Sequence, residues 1–96
     1  MQNTPETSPE VTEPIITLAD LKYNIKLRLR QKFANAFDLD KELSTFKIYF
    51  LRKYGIGQTT YHNYINALKT DAGLDRKSNL MCFAAEFDCT IEELFN

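Results

Sequence analysis

Two glycines, Gly55 and Gly57, separate two stretches of the chain in which apolar residues recur at steps of three and four. Glycine reaches positive φ at little steric cost, so Gly55 is suited to end one helix and to turn the chain toward the next. The spacing therefore predicts one helix over about 39–54 and a second over 58–69, joined by a three-residue turn.

The first of these helices has two candidate N-caps, Asp38 and Asp40. The pair Ser44-Thr45 in its middle leaves open a division into two shorter helices. Ile56, between the glycines, is expected to place its side chain between the helices on either side. A helix, a tight glycine-containing turn and a shorter helix make up a helix-turn-helix motif.

Upstream, apolar residues at helical spacing predict a helix over 18–36, with Thr17 as its N-cap. Residues 25–30 also alternate between apolar and basic side chains, as a half-buried strand would. If residues 25–30 formed a strand, the order of elements would resemble that of a ribbon-helix-helix repressor, a type of DNA-binding protein. The good helix formers in this stretch favour the helix.

Downstream, the residues from Leu80 to about Phe87 predict a further helix. Thr90 and Glu93 then have the spacing of a capping box, which predicts a last helical turn. With no convincing strand elsewhere, the predicted fold class is all-α, with four to five helices.

The first fourteen residues hold all three prolines, several Thr and Glu residues and little to bury. This composition predicts a disordered acidic tail over 1–14, ahead of a single domain over 15–96. No apolar run approaches the roughly 20 residues that span a bilayer, and the N-terminus lacks the basic and apolar regions of a secretion signal. We therefore expect a cytoplasmic protein without a membrane partner.

The net charge of −1 conceals a strong segregation of acidic and basic residues. Residues 21–69 contain ten basic side chains against three acidic ones, whereas the segments on both sides are net acidic. A basic middle between acidic ends predicts one positive face and an anionic partner, although a solvated helix surface rich in Lys and Arg is the alternative.

The predicted helix over 58–69 has one apolar and one polar side on a helical wheel. No Lys, Arg, Asp or Glu occurs between Lys53 and Lys69, so the polar side is uncharged. Asn and Gln side chains pair in bidentate fashion with adenine in the major groove, and this favours base recognition over a plain solvent face. The polar side carries Thr59, Asn63, Asn66 and Thr70.

Two stretches also follow a family pattern. Residues Phe50 to Tyr61 align with a Leu-Ala-x-x-Leu-Gly motif that is followed by Ile or Val and a Ser. Residues Leu80 to Phe95 align with a Leu-x-x-x-Ala-x-x-Leu-x-Val-Ser-x-x-Glu-Leu pattern. In both respects the chain resembles the lambda-repressor and Cro type of helix-turn-helix protein, the xenobiotic-response-element family of bacterial and phage regulators. The resemblance covers about residues 43–96.

The resemblance implies a lambda-repressor-like domain that binds paired DNA half-sites as a symmetric homodimer. It places Lys47 near a phosphate. Leu51 stands where the family has a small Ala, which implies a wider helix crossing, and Gly57 replaces a capping Ser at a typical cost of a few tenths of a kcal/mol. Three residues of the second helix are implied to read bases: Gln58, Thr59 and Asn63.

The sequence thus predicts a sequence-specific transcriptional regulator of the repressor type that inserts helix 58–69 into the major groove of double-stranded DNA. Candidate base contacts are Gln58, Thr59, Asn63 and Asn66. Candidate phosphate contacts are Lys47, Lys53, Thr60, His62, Lys69, Arg76 and Lys77. No acid–base pair, metal-ligand spacing or cofactor motif is visible, so we expect neither an enzyme nor a cofactor nor a small-molecule substrate.

A non-catalytic helical protein-interaction module is the alternative, for example an adaptor or virion component of a phage or mobile element. It is supported by the near-zero net charge, by the bulky Leu51 and by three phenylalanines near the C-terminus that would form an apolar patch: Phe83, Phe87 and Phe95. Salt-dependent affinity for nucleic acid separates the two functions.

Overall fold

The computed structural model describes residues 17–96, so the predicted tail over 1–14 lies outside the described residues. Four α-helices make up most of this range: α1 Ile25–Lys32, α2 Leu39–Tyr54, α3 Gln58–Asn66 and α4 Lys77–Glu86. Two 3-10 turns, Leu18–Asp20 and Glu92–Leu94, precede and follow the helices. The described chain is all-helical, as predicted, and none of its helices is long and apolar enough to cross a membrane.

The helix predicted over 18–36 is wrong at both ends, because only α1 is α-helical, Leu18–Asp20 is a 3-10 turn and residues 21–24 are not helical. The strand alternative over 25–30 is wrong as well, since all of these residues lie in α1. Ile25 and Leu29, one turn apart, are the buried residues of α1. Helical spacing rather than alternation therefore sets the buried face of this segment.

The non-helical residues 21–24 lie between two segments that are distant in sequence. The amide of Lys22 donates to the carbonyl of Ala67, and the amide of Asn24 donates to the carbonyl of Leu94, both at 2.7 Å. Such non-local contacts outweigh a weak local preference for helix, which explains the failed prediction. Two isolated antiparallel bridges complete the arrangement: Leu21 with Leu68, and Tyr23 with Phe95.

α2 is one continuous helix, and Ser44-Thr45 does not divide it. Its N-cap is Asp38, whose carboxylate accepts a hydrogen bond from the amide of Lys41 at 3.1 Å. Its C-cap is Gly55 in the left-handed conformation, with φ of 66°. Both ends of this helix agree with the sequence prediction.

The remaining helices differ from the prediction at one end each. α3 ends at Asn66 rather than 69, because the chain beyond it is extended and pairs with the 21–24 segment. α4 begins at Lys77, ahead of the predicted Leu80. The predicted capping box is confirmed: the Thr90 amide donates to Glu93 Oε1 at 2.8 Å, and the Glu93 amide donates to Thr90 Oγ1 at 3.2 Å.

An aromatic cluster at the centre of the core joins the helices. Phe50 of α2 and Phe83 of α4 are both fully buried, and their rings stack with centroids 4.6 Å apart. Tyr61 of α3 packs on both rings, at 5.5 and 5.9 Å. On the side of α1, Phe33 makes an edge contact with Phe46 at 5.9 Å. Offset and edge contacts of this kind add stabilisation beyond that of area burial alone.

A polar contact between α2 and the end of α4 supplements the aromatic core. The Glu86 side chain is only 9% exposed, and it forms a salt bridge with Lys53 at 3.3 Å. Its Oε1 also accepts hydrogen bonds from the hydroxyls of Tyr54 at 2.8 Å and Tyr49 at 3.3 Å. Burial by itself raises the pKa of Glu86, but hydrogen bonds from Tyr54, Lys53 and Tyr49 outweigh it and hold the pKa below the usual 4.5.

Replacing Phe50 by Ala should lower the free energy of unfolding by about 3–5 kcal/mol, because the change opens a cavity at the contact of three helices. Urea denaturation measures this difference. Ile48→Ala is the matched control, since Ile48 lies in the same helix with half of its side-chain surface exposed. A loss of less than about 1 kcal/mol for Phe50→Ala would show that α2 does not form the core described here.

Glu86→Gln should be less stable than the natural chain at neutral pH, and the gap should narrow as the pH falls. A carboxyl whose pKa is lowered by folding stabilises the fold above its unfolded-state pKa, and this stabilisation is lost as the pH drops through the folded-state value. Urea denaturation of both chains between about pH 7 and pH 3 measures the gap. Glu92→Gln, at an exposed position, is the control. A gap that stays constant down to pH 3 would contradict the assignment.

Candidate nucleic-acid interface

The turn between α2 and α3 sets the direction in which α3 leaves the core. The amides of Gly55 and Ile56 both donate to the carbonyl of Leu51, at 2.9 and 3.3 Å. The Ile56 side chain is partly buried against the core, as the sequence indicated, and Gly57 is the extended N-cap from which α3 starts. This is the geometry of a helix, a tight turn and a second helix that the glycine spacing predicted.

α3 has one face in the core and one face in solvent. Tyr61, Tyr64 and Ile65 are buried. The exposed side chains are all polar and include neither a carboxylate nor a Lys or Arg: Gln58, Thr59, His62, Asn63 and Asn66. A helix that presents only uncharged hydrogen-bonding groups to solvent lacks the ion pairs that usually cover an exposed face.

A cleft of about 360 Å³ runs along one side of α3, between this helix, α1 and α2. We name it the α1–α3 cleft. Lys26 and Arg30 of α1 and Lys47 of α2 lie at its edges, and the Lys26 ammonium donates to Asn66 Oδ1 at 2.8 Å. Its other lining residues are Leu29, Leu43, Ser44, Tyr61, His62 and Ile65.

A second and more polar cleft, of about 640 Å³, lies on the opposite side of α3, against the turn and the start of α4. We name it the α3–α4 cleft. Thr60, Asn63 and Arg76 are among its lining residues, and the Arg76 amide donates to the hydroxyl of Tyr64 at 3.0 Å. Within residues 17–96, no Asp or Glu lines either cleft. Positive groups therefore flank the polar face of α3 on both sides.

The predicted base contacts share one helix but differ in their surroundings. Gln58, Thr59 and Asn63 are exposed on α3. Asn66 is exposed at the end of the helix, where its Oδ1 accepts from Lys26 and its Nδ2 donates to the carbonyl of His62 at 3.0 Å. Asn66 thus has local partners that a base would have to replace, whereas no hydrogen bond of the described chain holds the Asn63 side chain.

Most of the predicted phosphate contacts lie around α3, but two are set apart. Lys53 lies on the flank of α2 that faces α4, where its ammonium pairs with Glu86 and lies over the rings of Tyr49 and Tyr54. Lys69 lies beyond the end of α3, beside Asp20. Hydrogen bonds from the backbone and side chain of Thr17 lower the pKa of Asp20, and the Lys69 ammonium adds to this effect. Those around α3 are Lys47, Thr60, His62 and Arg76. Lys77 is the exposed first residue of α4 and lines neither cleft.

Two basic residues that the sequence reasoning did not single out, Lys26 and Arg30, belong to this region because both line the α1–α3 cleft. The sequence contains a pattern that could have predicted the position of Lys26 and Arg30. They are one helical turn apart, and each directly follows a core residue of α1, Ile25 or Leu29. That register places both at the edge of the buried face, next to whatever α1 packs against.

Comparisons of the chain with known protein families, with curated proteins and with solved structures find no match. Within residues 17–96, no group of His, Cys, Asp or Glu side chains converges in a way that would hold a metal ion.

Gly55→Ala should lower the free energy of unfolding by about 1 kcal/mol, because an alanine is strained in the left-handed conformation. The space around Gly55 is open, so the cost is conformational and not steric. Gly55→Asn is the matched control, since Asn enters the left-handed conformation at less cost than Ala. Equal stabilities of the two variants in thermal or urea denaturation would contradict the turn described here.

Proposed function

We propose that this chain binds double-stranded DNA by inserting α3 into the major groove, and that it acts as a sequence-specific regulator of the repressor type. One observation supports this function above the others. An uncharged polar helix face lies between two clefts whose edges carry cations and whose described linings contain no carboxylate. The major groove of DNA is complementary to this arrangement, because its uncharged base edges lie between two rows of negatively charged phosphates.

The exposed side chains of α3 fit the task of reading bases. Gln58, Thr59 and Asn63 offer donors and acceptors that match the major-groove edges of base pairs, and Asn or Gln pairs best with adenine. Asn63 has the central role in this proposal, because it is exposed at the α3–α4 cleft and no hydrogen bond of the described chain holds its side chain. Asn66 joins these residues once its contact with Lys26 opens.

The cations on the two sides of α3 fit the task of holding phosphates. Arg30 and Lys47 lie along one side, and Arg76 and Lys77 lie at the start of α4 on the other. Such contacts fix the register of the protein on the duplex without reading its sequence. Lys26, Thr60 and His62 are further donors in the same region. Lys53 is left out because it is engaged by Glu86, and Lys69 is left out because it lies beyond the end of α3, beside Asp20.

A symmetric homodimer on paired half-sites follows from the resemblance to lambda-repressor and Cro proteins and belongs to the same proposal. Residues 17–96 leave apolar side chains uncovered on the outer side of α2 and in the loop before it, where Ile48, Tyr49 and Phe37 are exposed.

The exposure of these apolar side chains favours the second candidate function, a protein-interaction module. Of the three phenylalanines expected to form a C-terminal patch for that module, Phe83 is fully buried and Phe87 packs against the core, whereas Phe95 is 41% exposed.

DNA binding is best tested by selecting a preferred site from a random duplex library and then measuring anisotropy at several salt concentrations. Lys47→Ala and Arg76→Ala should weaken binding to every duplex, and each should reduce the steepness of the salt dependence by about 0.9. Asn63→Ala should reduce the preference for the selected site by about 1–3 kcal/mol and leave the salt dependence unchanged.

Arg52→Ala is the matched control, because it removes one positive charge from the exposed outer side of α2, away from both clefts. Its affinity and salt slope should equal those of the natural chain. Absence of binding to any duplex at low salt would refute the proposal and favour the interaction module. An equal loss for Arg52→Ala and Lys47→Ala would show that the net charge and not α3 governs binding.

A further inference from the structure

The α1–α3 cleft has a feature that DNA binding does not use, namely an apolar floor. Leu29 and Ile65 are buried residues of α1 and α3, and both contribute to its lining together with the half-buried Leu43. Its volume of about 360 Å³ lies in the lower part of the range for small-molecule sites. A DNA backbone would cover such a floor without gaining from it, whereas a small apolar body would.

The edge of the same cleft is cationic. Arg30 and Lys47 border it, and neither has a salt-bridge partner within the described part of the chain. Lys26, the third cation, is held by the amide of Asn66. With no carboxylate in the described lining, the charge of the cleft is not balanced from inside. An apolar floor beneath two available cations calls for a ligand that has one apolar body and one anionic end.

We propose that the α1–α3 cleft binds a small amphiphilic monocarboxylate, a medium-chain aliphatic or compact aromatic acid. Its hydrocarbon body lies on Leu29, Leu43 and Ile65, and its carboxylate pairs with Arg30 and Lys47. Guanidinium and carboxylate groups form paired, charge-assisted hydrogen bonds, which sets the orientation of the ligand. A monocarboxylate suits this cleft better than a more highly charged anion, because burial of its hydrocarbon part on the apolar floor adds to the binding free energy.

Such a ligand would regulate DNA binding, and this consequence rests on the proposed function. Arg30 and Lys47 cannot hold a carboxylate and a phosphate at the same time. The bound acid would also lie against α3, next to His62 and Asn66. Occupancy of the cleft therefore opposes DNA binding. The binding of the acid itself does not depend on DNA.

The test is a titration of the isotope-labelled full chain with hexanoate, octanoate and decanoate, followed by two-dimensional amide NMR, with the matching alcohols as neutral controls. We expect shifts confined to residues around the cleft, and affinity that rises about two- to fourfold per added methylene. Each acid should bind at least about tenfold more tightly than its alcohol. Equal affinities of acid and alcohol, or shifts distributed over the whole chain, would overturn the proposal.

Charge variants locate the site. Arg30→Gln and Lys47→Gln should each weaken octanoate binding about tenfold, whereas Arg52→Gln, the control on the outer side of α2, should not change it. An equal loss for Arg52→Gln, or no loss for Arg30→Gln and Lys47→Gln, would refute the assignment. Replacement of Glu6, Glu10 and Glu13 by Gln should leave the affinity unchanged. A tenfold gain would instead assign the cleft to the chain's own acidic stretch and would overturn the proposal.

A separate anisotropy measurement distinguishes this inference from the proposed function. If the chain binds both ligands, octanoate should release DNA at concentrations that fill the cleft in the NMR titration. If the chain binds octanoate but no duplex, the cleft assignment stands and DNA binding fails. If it binds DNA but octanoate produces no shifts at millimolar concentration, the inference fails and DNA binding stands.

Discussion

The stacking of Phe50 on Phe83 is the contact on which the rest of the structure depends. It joins α2 to α4 across the centre of the core, and Tyr61 of α3 lies against both rings. The neighbouring Tyr64 also packs on Phe83, at 6.1 Å. Two adjacent turns of α3 thus rest on one aromatic cluster, and this fixes which side of the helix faces solvent. The polar face is a consequence of that packing.

A second constraint closes the other end of the molecule. Tyr23 is fully buried, stacks on Tyr64 with centroids 5.8 Å apart, and donates through its hydroxyl to the carbonyl of Leu74 and to Asp75. Asn96 also donates to three carbonyls of the 18–23 stretch. The segments before α1, after α3 and after the last turn are therefore held together. Because the chain leaves α3 into this arrangement, both ends of the helix are anchored.

The sequence was sufficient for elements whose cause is local. Helical spacing and Gly55 predicted α2 and the start of α3, and the Thr90–Glu93 pair predicted the last turn, because each depends on residues within a few positions. The non-helical conformation of residues 21–24 could not be predicted, since their partners lie more than forty residues away in sequence. Lys53 illustrates the same limit, because its partner Glu86 is thirty-three residues downstream. Contacts between residues distant in sequence therefore decide whether a Lys or Arg pairs with a carboxylate of the fold or is left without a salt bridge.

The distribution of cations over the fold explains how a chain of net charge −1 can offer a positive face. Lys22 forms a salt bridge with Asp75, and Lys53 forms one with Glu86, so these two cations contribute to the contacts within the fold. The cations beside α3 have no salt-bridge partner in the described residues, and the two clefts that flank this helix contain no carboxylate there. Local potential depends on where charges are unpaired and not on their sum. The described acidic residues therefore lower the net charge without forming ion pairs with the cations beside α3.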